Sequence, residues 1–171
     1  VATARIIKQE HPEASVVFIG PCASKKLEAS RRTVRSDVDF VITFEELMGM
    51  FEAKGILLDE IKAMDEMQDA TGAGRGYGVA GGVANAIEKC IETYYPGTEV
   101  KIEHAEGLAE CRKMLLLAKA GKKNGYLIEG MACPGGCVAG AGTNIAVCQA
   151  AKEVAKFKAA AKDALPKEAE E

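Results

Sequence analysis

Six cysteines, at positions 22, 90, 111, 133, 137 and 148, carry most of the chemistry this sequence offers. Cys22 stands in GPCASKKLEA, and Cys133 and Cys137 bracket Pro134-Gly135-Gly136 in MACPGGCVAGAG. Thiolates are soft metal ligands. The glycines at 135, 136, 140 and 142 allow a backbone with positive φ to wrap closely around a bulky group and turn amide N–H groups toward it. A zinc knuckle has tighter cysteine spacing than this. An iron–sulfur cluster suits it better, since it takes thiolates from distant loops and is tuned by N–H groups aimed at its sulfurs. Burial as inert structural thiols is the competing reading. For Cys90 and Cys111, on apolar helical faces, and for Cys148, one turn into the last helix, core packing is the expectation.

Other candidates are weaker. Lys25 and Lys26 follow Cys22 closely and, beside an anionic cluster, a lysine there donates a charge-assisted hydrogen bond. Gly76, Gly78 and Gly81 match GxGxxG and precede a helix, with Glu103 ending the next strand. The strand that a dinucleotide fingerprint requires before the glycines is missing, because the polar segment through Gln68-Asp69 has no β run; a tight helix-packing turn fits instead. His104 reads as a surface or hydrogen-bonded residue near the end of the third strand, and His11 as a helix-end residue.

The elements that must position these groups alternate. An opening helix stops at His11-Pro12, and a short apolar run, Val16 to Ile19, reads as a buried strand. A second strand, Val38 to Ile42, leads into a helix that Thr43 caps and Glu46 completes as a capping box, with Ile42 and Leu47 as a staple. After a polar stretch from Asp59 to Asp69 and the glycine-dense TGAGRGYGVAGG, a helix carries Val79, Val83, Ile87, Cys90 and Tyr94 on one side until Pro96. A strand at Val100 to Glu103, a helix through Leu108, Cys111 and Leu115, a strand at Tyr126 to Ile128 and a final helix from about Asn144 to Leu165 follow. Apolar strands separated by amphipathic helices predict an α/β fold with a mainly parallel four-stranded sheet flanked by helices. In such a sheet Cys22 and the Cys133–Cys137 loop share the carboxyl edge, where open α/β sheets place ligands.

Composition narrows the function classes. The 171 residues are 48% hydrophobic, enough for one good core, and exclude disorder, collagen and coiled coil. A formal net charge of −3 gives no basic footprint for nucleic acid. No apolar run is long enough to span a membrane and no secretion signal opens the chain, so a cytoplasmic protein with reduced cysteines is expected. The start at Val1, within the amphipathic VATARIIKQEHP, suggests a piece of a longer polypeptide, with one domain over residues 1–165 and a polar tail over 166–171.

VVFIGPCASKKLEA, DVDFVITFEEL, GYGVAGGVANAIE and GMACPGGCVAGAG together resemble the iron-only hydrogenase family, in the C-terminal half of its catalytic domain, over nearly the whole chain. The resemblance implies one lobe of a two-lobed domain, with a four-iron four-sulfur cube joined through a cysteine sulfur to a two-iron unit carrying carbon monoxide, cyanide and a dithiolate. It implies reversible proton reduction to hydrogen, with Cys22 and Cys133 as ligands of the cube and Cys137 as the bridging thiolate. Lys25 matches a lysine that hydrogen-bonds a cyanide, and Met131 a methionine packed near the two-iron unit. Implied partners are the missing N-terminal half, a ferredoxin-type electron partner, protons and hydrogen. The chain departs from the pattern in lacking the family's fourth cysteine ligand and its proton-donor cysteine. Gly20 stands where catalytic members have Met, and GAGTN where they have GGGQP; both departures resemble less active or sensory branches. The fragment alone is expected to be inactive and to self-associate through an exposed lobe face. The alternative is a non-catalytic hydrogenase-like iron–sulfur protein in cluster assembly or partner binding.

Overall fold

The computed structural model describes residues 1–31, 33–34, 36–62 and 70–167. They form two compact units, Val1–Ala63 with Gly140–Asn144, and Met64–Ala139 with Ile145–Glu171. Residues 63–69 of the expected polar stretch and 168–171 of the expected tail lie outside the described residues.

The first unit contains α1 (Ala2–Glu10), β1 (Val17–Ile19), α2 (Ser24–Ser30), β2 (Phe40–Ile42) and α3 (Phe44–Ala53). β1 and β2 pair in parallel, Val17 opposite Phe40 and Ile19 opposite Ile42. Ion pairs tie α1 to the segment entering β2: Arg5 to Asp37 at 3.1 Å and Lys8 to Asp39 at 2.9 Å. The predicted capping box is present, with Thr43 Oγ1 accepting the Glu46 N–H at 3.2 Å and the Glu46 carboxylate accepting the Thr43 N–H at 2.9 Å. Gly140–Asn144 rejoin this unit, where the Gly142 N–H donates to the Pro21 carbonyl at 3.0 Å and the Gly142 carbonyl accepts the Glu45 N–H at 3.2 Å. A Cβ on Gly142 would lie 2.5 Å from that of Thr43, so only glycine fits this approach.

The second unit contains α4 (Gly72–Arg75), α5 (Gly82–Tyr94), β3 (Lys101–Glu106), α6 (Gly107–Lys119), β4 (Tyr126–Met131) and α7 (Val147–Ala159). β3 and β4 run parallel from Lys101 opposite Tyr126 to Glu106 opposite Met131. α7 is shorter at both ends than the apolar stripe predicts. Beyond it the chain turns, and the carbonyls of Asp163 and Ala164 accept the Gly72 and Ala73 N–H groups of α4 at 2.8 and 2.9 Å. Those donors at the start of a short helix would otherwise lack partners.

The α/β class holds, with every observed strand pairing parallel. The single four-stranded sheet does not: β1–β2 and β3–β4 are separate two-stranded sheets. Each is one βαβ unit, closed through α2 or α6, and apolar alternation along a chain does not encode which strand lies beside which. Burial on both faces also fails. Val17, Ile19 and Phe40 are 44%, 47% and 61% exposed. The described core consists of small residues, chiefly Ala4, Ala73, Ala84, Ala86, Ala105, Val138 and Ala150.

Candidate metal centre

Each cysteine expected to bind iron follows the carboxyl end of a parallel strand. Cys22 comes shortly after β1, and Cys133 shortly after β4, with Cys137 opening a 3₁₀ turn over Cys137–Ala139. Cys22 and Cys133 are half-buried and Cys137 is exposed, so none of the three is sealed among aliphatic side chains. Cys90 and Cys111 are half-buried. The Cys111 Sγ packs on the strand ends of the second unit, 3.5 Å from the Ala105 carbonyl and 3.6 Å from that of Met131. Cys148 is exposed, which overturns its expected core packing: α7 starts at Val147, placing Cys148 in the first turn rather than along the buried stripe.

The loop between Cys133 and Cys137 uses its glycines as expected in one respect and not in another. Gly135 and Gly136 have φ of +92° and +95°, conformations that favour glycine. Their amides, however, are taken by the protein. Gly135 N–H donates to Glu106 Oε2 at 2.7 Å, Gly136 N–H to the Cys133 carbonyl at 2.9 Å, and Val138 N–H to the Gly78 carbonyl at 3.0 Å. Ala139 N–H donates to the Gly136 carbonyl at 3.0 Å, and the Gly135 carbonyl accepts from Ala80 N–H at 3.1 Å. The expectation that these N–H groups point at a bound group is therefore corrected. The absent Cβ of Gly136 instead lets two backbones cross, since one built there would stand 2.4 Å from the Ala80 nitrogen.

The segment crossed is the GxGxxG stretch. α4 leads directly into Gly76, and a Cβ on Gly82 would fall 2.1 Å from the Gly76 carbonyl oxygen, so this is the helix-packing turn the sequence predicts and not a strand-to-helix phosphate loop. His104 is exposed on β3, with Nδ1 3.4 Å from Glu129 Oε2. Glu129 itself was not singled out from sequence. Its signal was a carboxylate inside the apolar strand YLIEGM, where burial demands partners.

In the first unit the Lys25 amine pairs with Glu28 Oε2 at 2.5 Å on α2. It lines a cavity of about 60 Å³ with Phe18, Val38 and Val41. Lys26 pairs with Glu46 of the capping box. Gly20 is buried, and a Cβ there would meet the Phe18 ring at 2.8 Å, so the ring fills the room a larger residue at this position would need. Met131 ends β4 half-buried, opposite Glu106.

Residues 1–141 match the family described as iron only hydrogenase large subunit, C-terminal domain. The chain belongs to that family. It is 30% identical over 169 residues to the periplasmic Fe hydrogenase large subunit of Nitratidesulfovibrio vulgaris, with 80% of this chain and 40% of that protein covered. It is 30% identical to iron hydrogenase 1 of Clostridium pasteurianum, over 74% of this chain and 28% of that one. The cytosolic iron-sulfur assembly component 3 of Mus musculus is 27% identical over 74% of the chain and 34% of its own length. This hydrogenase-family chain thus spans less than half of these curated relatives. An apo FeFe-hydrogenase from Chlamydomonas reinhardtii shares the fold at a TM-score of 0.60 and 20% identity, covering 93% of this chain and 58% of that one.

Iron–sulfur clusters belong to this family, and the donor set here suits one: accessible thiols on glycine-flanked loops, soft ligands for iron. Within neither unit are three His, Cys, Asp or Glu side chains grouped to hold a metal ion, among the described residues. Of the three cysteines expected to bind iron, one unit carries Cys22 and the other Cys133 and Cys137.

Proposed function

We infer that the chain is the cysteine-bearing C-terminal part of an iron-only hydrogenase catalytic domain that catalyses or senses reversible proton reduction. By the family resemblance, Cys22, Cys133 and Cys137 would be thiolate ligands of its iron–sulfur cluster. Family membership over residues 1–141 carries this reading, together with three accessible cysteines placed after parallel strands. When bound, the cluster supplies the redox and hydrogen chemistry, as cofactors do generally. The chain's own residues ligate, shape and shield. The glycine loop sets the spacing of Cys133 and Cys137, Met131 precedes that loop at the end of β4, and Lys25 would supply a charge-assisted donor to an anionic ligand. The remaining walls and the fourth ligand belong to a part of the domain outside this sequence, and electrons come from a ferredoxin-type partner. Free cysteines suit a cytoplasmic location.

Infrared spectroscopy of the matured full-length protein tests the proposal. Bands from carbon monoxide and cyanide, lost together with cluster iron in Cys22→Ser, Cys133→Ser and Cys137→Ser, are expected. A cluster that forms without such bands would favour the second reading, a non-catalytic hydrogenase-like iron–sulfur protein in partner binding or in cluster assembly, the role in the mouse relative's name. The 171-residue chain alone is expected to yield no hydrogen after iron–sulfide reconstitution. Turnover with a complete complement of cluster iron would overturn the assignment of an incomplete ligand set.

A further inference from the structure

Among the described residues of the second unit, Glu129 is the most deeply placed charged residue, with its side chain 8% exposed. Its Oε2 accepts the Gly81 N–H at 2.5 Å, and its Oε1 accepts the Val83 and Ala84 N–H groups at 3.0 and 3.1 Å. These donors stand at the start of α5, where no residue of the helix's own N-cap provides an acceptor: Gly81, left-handed at φ +80°, has no side chain. A carboxylate from the neighbouring strand therefore does the capping, favoured by the positive end of the helix dipole and by three charge-assisted bonds. The His104 Nδ1 lies against the same carboxylate at 3.4 Å.

What Glu129 holds is the turn that in turn holds the cysteine loop. Ala80 immediately precedes Gly81, and the Gly78–Ala80 backbone makes two hydrogen bonds with the Cys133–Val138 segment, one to the Gly135 carbonyl and one from the Val138 N–H just past Cys137. Gly136 lies so close beneath it that no side chain fits between. Met131 and Cys133 follow Glu129 on the same strand exit, so the carboxylate anchors one end of the loop through β4 and its far side through the glycine turn. Glu106 holds the loop's outer amide at Gly135. The geometry points to Glu129 as a positioning residue that fixes the separation of Cys133 and Cys137 by clamping α5 and the Gly78–Ala80 turn onto β4. Its relevance to a cluster rests on the function proposed above; the mechanical coupling does not.

Two readouts that need no iron test it on the chain itself: amide exchange, and cysteine alkylation resolved by peptide mass spectrometry. In Glu129→Gln, which keeps the shape but turns an amide group toward N–H donors, and in Glu129→Ala, exchange over 78–84 and over 135–138 should accelerate together. The expected factor is about tenfold or more, the order lost with charge-assisted bonds to a buried carboxylate. Cys133 and Cys137 should alkylate faster while Cys22 and Cys148 keep their rates. Gly136→Ala should reproduce the cysteine effect without speeding exchange at Val83 and Ala84. Glu129→Asp should restore part of the protection. Acceleration confined to 81–84, or equal changes at all cysteines, would overturn the inference. If the coupling is found but the cysteine-to-serine variants keep their cluster, the ligand assignment fails and the positioning role stands.

Discussion

Glu46 shows how much one exposed carboxylate can register. Its hydrogen bond to the Lys26 amine, reinforced by the Thr43 N–H, lowers its pKa from 4.5 to about 2. Asp39 is lowered in the same way, first by Lys8 and then by the Val16 N–H, which it accepts at 2.7 Å. A carboxyl more acidic in the folded state than in the unfolded chain stabilises fully above its ordinary value, and that contribution is lost as pH falls toward the folded value. The first unit should therefore lose stability between about pH 4.5 and 2, and Glu46→Gln should flatten this part of the acid-unfolding curve. Lys26→Met should move the Glu46 titration upward, which carboxyl-carbon NMR reads directly. An unmoved titration would mean that the pair does not persist in solution.

At the scale of elements, the short helix α4 depends on a distant partner. The Arg75 Nη1 donates to the Phe157 carbonyl at 3.1 Å, its Nε donates to the Ala70 carbonyl at 2.8 Å, and the guanidinium lies 4.3 Å from the Phe157 ring centroid. A helix of this length is not stable by itself, so packing on α7 and the bonds its N–H groups donate to the Asp163 and Ala164 carbonyls must sustain it. Arg75→Ala should destabilise the second unit by about 1–2 kcal/mol in denaturant unfolding. Arg75→Lys should recover less than half, because an ammonium reproduces neither the planar stack nor the fork. Full recovery would show that charge alone matters there.

For the whole molecule, what stands out is the apolar surface left open. On α6, Leu108, Leu115 and Leu116 are 75%, 67% and 59% exposed, and their spacing puts them along one side of the helix. Open side chains of this size favour association. Leu115→Lys combined with Leu116→Glu should lower the apparent mass in concentration-dependent light scattering and change stability by no more than about 0.5 kcal/mol. Unchanged scattering would remove α6 as the associating surface.

The sequence by itself determined the parallel α/β class, the capping box at Thr43 and Glu46, the helix-packing role of the glycine stretch and, through motif resemblance, the family. Each is local chemistry: a cap needs a hydroxyl and a carboxylate three residues apart, and a βαβ unit needs only its alternation. Tertiary structure alone decided that the strands form two separate pairs and that Cys148 lies at the surface. It also decided that the amides of the Cys133–Cys137 loop serve Glu106, Gly78 and the loop itself, and that Glu129 caps a helix 45 residues earlier in the chain. These outcomes depend on which backbone groups meet across long separations, and a hydrogen-bond partner chosen by proximity in space leaves no mark in local spacing.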